Sequence, residues 1–128
     1  DTDVLAYVQD SRDPVKKAVA TELFHRVSAL RATKVGLQVL GELYSVLTRK
    51  LKQDPSTAKQ AVEAVATLFE PFGYEAGDVY AALDFSEKGV LSYWDELLVS
   101  AAERAGCNIL ISEDMQNGFR YGDLIGAM

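Results

Sequence analysis

The chain has 128 residues, of which 48% are hydrophobic, with one cysteine and a formal net charge of −6. That length suits one domain with a core of its own, and the hydrophobic share excludes a disordered polymer. The acidic balance excludes a general nucleic-acid coating protein, whose affinity comes mostly from Lys and Arg neutralising phosphates.

A nuclease is not excluded, because bound cations can offset local acid charge. The basic residues Lys16, Lys17, Arg31, Lys34, Arg49, Lys50 and Lys52 read mainly as solvated helix faces. No apolar run approaches the ~20 residues a bilayer span needs, and no basic-then-apolar signal opens the chain, so no membrane role is expected. A lone cysteine, Cys107, rules out an internal disulfide and a multi-cysteine zinc site, and fits a reducing, cytoplasmic setting. Residues 1–128 read as one domain trimmed at both ends, with a first buried strand expected just before or across Asp1–Leu5.

In chain order, Val4–Val8 reads as a strand end or turn. Pro14 sits where a helix can begin without needing its N–H, and the helix runs to about Leu30 with Val15, Val19, Leu23 and Val27 at four-residue steps. Val15, Val19, Leu23, Leu43 and Leu47 are expected mainly to fill the core, or else to form an interface. Ala32–Val35 reads as a strand. Leu37–Leu51 is helical: Leu37, Leu40, Tyr44, Leu47 and Leu51 form one stripe, widened by Val39, Leu43 and Val46. Glu42 projects from the edge of that stripe, with Gln38, Ser45 and Arg49 on its side.

Asp54-Pro55 starts a helix over Ser56–Phe69, ended by Pro71 and Gly73. Asp78–Ser86 reads as a short helix. Ser92 opens a helix from Tyr93 to Ala105, with Gly106 as its stop. Cys107–Ser112 is apolar without alternation, as in a buried parallel strand. Gly118, Gly122 and Gly126 break up the tail, and Leu124-Ile125 reads as a last edge strand. Strands alternating with helices predict an α/β layered domain with a mostly parallel central sheet.

Four acids stand at or near the ends of separate elements: Asp1, Glu42, Asp95 and Asp114. Each has a plain explanation. Asp95 follows Ser92 at capping-box spacing, Asp114 fits a turn after a strand, and Glu42 fits a solvated helix position. Together they are harder to dismiss. In parallel α/β sheets the ligand crevice lies at the carboxyl ends of strands, and acids gathered there suit a hard divalent cation. His25, the single histidine, lies mid-helix beside Phe24 and reads as structural or surface rather than as a general base.

Asp1-Thr2-Asp3-Val4-Leu5 resembles the opening motif of PIN-domain ribonucleases. Gly41-Glu42-Leu43-Tyr44 resembles their helix glutamate, Tyr93-Trp94-Asp95 with Ala101-Ala102 and Ala105-Gly106-Cys107 resembles their third-acid helix, and Ile111-Ser112-Glu113-Asp114-Met115 resembles their closing strand. Small domains of this layout are most often VapC-type toxins of bacterial toxin–antitoxin pairs. The resemblance implies a three-layer α/β/α sandwich, and it implies that Asp1, Glu42, Asp95 and Asp114 form a catalytic cluster holding one or two Mg²⁺ or Mn²⁺ ions, with Thr2, Asp3 and Ser112 around it. Asp3 departs from the asparagine usual at its position. The implied reaction is hydrolysis of RNA phosphodiester bonds by water, without a covalent enzyme intermediate. The implied partners are RNA, a cognate antitoxin and a second copy of the chain.

Two other readings stay open. Asp1-Thr2-Asp3-Val4 also resembles the Asp-x-Asp motif of haloacid-dehalogenase-type phosphatases, with Asp1 as nucleophile, although beyond Lys59 the only lysine is Lys88, which is not a convincing partner for it. Alternatively the chain is a catalytically silent PIN-like module that binds other proteins through its acidic cleft.

Overall fold

A computed structural model describes residues 2–30, 33–112, 120–121 and 124–127. The chain divides into two compact units, Asp1–Pro71 and Phe72–Met128.

The first unit begins with α1 (Thr2–Gln9). This is a correction, since a strand was expected there. Its β-branched valines favour a strand locally, but burial of Thr2, Val4 and Ala6 as α1 packs on α2 and α3 decides for the helix. Asp3 lies in the first turn, near the positive end of the helix dipole. Asp10 closes the turn that follows. Its carboxylate accepts from Arg12 Nε at 2.9 Å, Arg12 Nη2 at 2.8 Å and the Arg12 backbone N–H at 3.0 Å. The hydrogen bond from the Arg12 side chain, helped by that backbone bond, holds the Asp10 pKa at about 2.

In α2 (Pro14–Ser28), Asp13 caps the start by accepting from the Lys16 N–H at 3.1 Å. Val15 and Val19 are 74% and 54% exposed, so they do not fill the core, and Leu23 is half-buried. Leu43 and Leu47, by contrast, are wholly buried. The strand β1 (Lys34–Gly36) leads into α3 (Leu37–Arg49), which carries the centre of the core: Val39, Leu40, Leu43 and Leu47. The buried stripe is narrower than expected, because Leu37 and Tyr44 stay exposed. Burying a leucine fully contributes about 1.5–3 kcal/mol, so Leu43 and Leu47 are the strongest anchors of this helix. Ala6, Val35, Ala58, Val65 and Phe69 complete the core, and Phe24 meets Phe69 edge-on at 5.4 Å between ring centroids.

Asp54 caps α4 (Pro55–Leu68) through the Ser56 N–H at 3.1 Å, with Pro55 in the first turn. The helix ends before Pro71, as expected, but the segment that follows is not a plain loop. It forms β2 (Glu70–Phe72), paired with β1, and the Glu70 N–H donates to the Thr33 carbonyl at 3.3 Å. Pro71 lacks a ladder donor, which an edge strand tolerates.

In the second unit, α5 (Ala76–Ser86) packs on α6 (Tyr93–Arg104). Helix α6 ends as the sequence predicts: Gly106 adopts φ +87°, its N–H reaches Glu103 O at 3.0 Å, and the Cys107 N–H reaches Ala102 O at 2.9 Å. Val99 and Ala102 form a small core with Phe72, Leu91, Cys107 and Leu110 against it.

The strand β3 (Ile109–Ile111) is parallel to β5 (Leu124–Ala127), in the register Ile109↔Ile125, Leu110↔Gly126 and Ile111↔Ala127. The strand β4 (Arg120–Tyr121) runs antiparallel on the other side of β5. Two details depart from expectation. β5 is the middle strand, not an edge, and β3 is not fully buried, since Ile109 is 57% exposed. The architecture is α/β and mainly helical. Its described strands fall into a two-stranded sheet and a three-stranded mixed sheet. Ala32, Gly118 and Gly122 lie outside the described residues, and among those described no helix is long and apolar enough to cross a membrane.

Candidate active site

Helix α3 has no side-chain cap at Gly36, and it places Glu42 on the second turn. The glutamate is exposed, but its carboxylate is not free to swing. Thr2 Oγ donates to one oxygen at 2.6 Å, and Gln38 Nε2 donates to the other at 2.9 Å. Thr2 comes from the start of α1, forty residues away in sequence, and is itself buried. Thr2, placed among the acids only by the family resemblance, is thus a hydrogen-bond donor to Glu42. Neither donor carries charge, and among the described residues no ion pair engages Glu42. Such a carboxylate, held in place yet not neutralised, suits a hard cation. Asp3 is half-buried in the same turn of α1 as Thr2.

In the second unit, Asp95 is half-buried in the first turn of α6, and its N–H donates to Ser92 Oγ at 3.2 Å. The capping explanation is thus partly realised, through the backbone of Asp95, and it leaves the carboxylate for other work. Tyr93 and Trp94 meet edge-on at 5.0 Å, and Trp94, the only tryptophan, is 58% exposed beside Asp95. Glu96, next along, has a raised pKa because burial disfavours its charge and Asp95 and Glu103 repel it, while Lys88 opposes the shift. Ser112, after β3, is buried.

Asp1 and Asp114 lie outside the described residues. Glu42 and Asp95 fall in separate units. Among the described residues, no three acids, histidines or cysteines gather into a metal-holding group. His25 is exposed and meets Phe24 edge-on at 6.5 Å, in keeping with a surface role. A broad open hollow of about 900 Å³ runs beside it along α2, lined by Ser11, Lys17, Thr21 and Glu22 among others.

Two polar groups went unnoticed in the sequence. Gln38 was visible only as a neighbour of Glu42 on the helical wheel. Asp78, read merely as a helix start, is 4% exposed and accepts from the Glu75 N–H at 2.8 Å, Ser100 Oγ at 2.9 Å and Arg104 Nε at 3.1 Å. Burial pushes its pKa up, but those three bonds and the Arg104 charge outweigh it, leaving the carboxyl below its ordinary value. The signal that could have found it is an acid three residues after Glu75, at capping-box spacing.

The PIN domain family matches residues 1–120, and the chain belongs to that family. PIN domains are generally nucleases that use divalent metal ions. No curated protein matches the chain.

Proposed function

We propose that the protein is a Mg²⁺- or Mn²⁺-dependent endoribonuclease, the VapC-type toxin of a toxin–antitoxin pair, working in the cytoplasm. The observation that carries this reading is the 2.6 Å hydrogen bond from Thr2 to Glu42. It joins two of the four family motifs and orients an acid that the family assigns to metal binding. The family match runs through both compact units, which supports one domain over residues 1–128, with the three-layer sandwich as its architecture.

In this reading Asp1, Glu42, Asp95 and Asp114 hold one or two cations, and Ser112 and Asp3 stand close around them. Thr2 fixes Glu42 so that no rotamer search precedes binding. Clustered carboxylates repel one another, so the assembled site favours a divalent cation strongly. A cation held by these residues would lower the pKa of a water and stabilise charge on the phosphoryl and leaving oxygens. An antitoxin and a second copy of the chain are the proposed protein partners. The exposed Val15 and Val19, one turn apart on α2, support a protein contact there.

The deciding experiment is cleavage of a labelled RNA oligonucleotide during Mn²⁺ titration, for the wild type and for Glu42→Gln and Asp114→Asn. Each variant should lose at least about 100-fold in rate with unchanged circular dichroism, since a lost metal ligand removes much of the transition-state stabilisation. Cleavage that survives both substitutions would sink the proposal. Phosphate release from small phosphomonoesters instead would favour the phosphatase reading, and no turnover at all would favour the silent module.

A further inference from the structure

Glu42 has a second donor that the family motifs do not account for. Gln38 stands one turn earlier on α3, and its amide nitrogen reaches the Glu42 oxygen that Thr2 leaves untouched, at 2.9 Å. A carboxylate offers about four lone-pair sites over its two oxygens. Thr2 and Gln38 use one on each, so each oxygen keeps one for a cation. With a single donor the carboxylate could still turn about its Cγ–Cδ bond; with one on each oxygen it cannot turn without breaking a hydrogen bond.

The identity of the donor matters as much as its position. An amide orients the carboxylate and leaves its negative charge whole. A lysine or arginine at the same place would orient it too, but would supply the positive charge that an incoming cation would otherwise bring. A resident positive charge beside the carboxylate would thus compete with an incoming metal ion for the same negative charge.

We infer that Gln38 is a positioning residue that, with Thr2, locks Glu42 for a divalent cation by means of an uncharged donor. This rests on the metal-dependent reading above.

The test measures Mn²⁺ binding to metal-stripped protein by the paramagnetic resonance of free Mn²⁺, without RNA. The variants are Gln38→Met, of similar length but without donors, Gln38→Lys, which restores a donor with charge, and Glu42→Gln as reference. Loss of an outer hydrogen-bonding partner typically weakens metal affinity by 10–100-fold, so Gln38→Met should weaken Mn²⁺ binding about tenfold. Gln38→Lys should weaken it further, while unfolding midpoints in EDTA stay together. RNA cleavage by Gln38→Met should recover at saturating Mn²⁺, which separates affinity from turnover. If Glu42→Gln abolishes binding and Gln38→Met matches the wild type, the inference is wrong and the nuclease reading stands. If Gln38→Lys binds as tightly as the wild type, the uncharged-donor argument is wrong. A wild type that binds no Mn²⁺ overturns both.

Discussion

Glu42 in the first unit and Asp78 in the second are the same kind of group in opposite situations. Both are carboxylates on helices, and both accept hydrogen bonds from more than one residue. Asp78 is buried, and one of its donors is the Arg104 guanidinium, which also lies 3.4 Å from Glu75. Its charge is balanced inside the fold, and its role is to tie α5 to α6. Glu42 is exposed, and both of its donors are neutral. An acid with a resident cation is structural; an acid that is oriented but not neutralised is available to a ligand. Motif position alone does not separate the two, but the charge of the donor does.

The comparison can be broken first at Asp78. Removing one partner of a buried pair strands the other, so Asp78→Ala should destabilise the protein by about 2–3 kcal/mol in urea unfolding, the partial exposure of Arg104 keeping it at the low end. The pH dependence follows from the sign of the shift. Because the folded pKa lies below the ordinary 3.8, this contribution is present above that value and is lost as pH falls through the folded pKa. The gap between variant and wild type should therefore close in strong acid. A gap that persists there would mean that shape, not charge, holds α5 to α6.

A smaller effect is expected at Glu96, beside Asp95. Its folded pKa is raised above the ordinary 4.5, so the ionised form is penalised in the folded protein once pH climbs past that value. Glu96→Gln should stabilise the protein at pH 7 by about 0.5 kcal/mol, a figure discounted for solvent screening, and by nothing below the ordinary value. Equal stability at every pH would remove the like-charge account of that helix turn.

The smallest expected effect sharpens the contrast most. Glu42→Gln should leave the unfolding midpoint in EDTA within about 0.5 kcal/mol of the wild type, because an exposed carboxylate with no charged partner among the described residues contributes little to stability. A loss comparable to that of Asp78→Ala would make Glu42 a structural acid after all.

Much of the helical framework was legible because its punctuation is local. Asp13-Pro14, Asp54-Pro55, Ser92 and Gly106 each mark a helix end by satisfying backbone groups within a few residues, and each does so in the structure. What failed depends on distant partners. The segment Thr2–Gln9 has strand-like residues, and only packing on α2 and α3 makes it a helix. β2 contains a proline and is three residues long, so nothing local announces it without β1 beside it. Val15 and Val19 have the spacing of core residues yet lie on the outer face of α2. At the candidate site, the family resemblance singled out Glu42 and Thr2, but not the hydrogen bond between them. Gln38 was passed over because an amide one turn from a glutamate is ordinary until its partner's second oxygen is seen to be taken.

The strand order of the second sheet has a consequence for synthesis. β5 lies between β3 and β4 although it follows both in the chain. As the ribosome delivers the polypeptide, β3 and β4 emerge with no rung to join, and the ladder closes only when residues 124–127 arrive. Among the described strands, assembly of this sheet is thus tied to residues 124–127, and a nascent chain halted ahead of them would carry two strands without their shared neighbour.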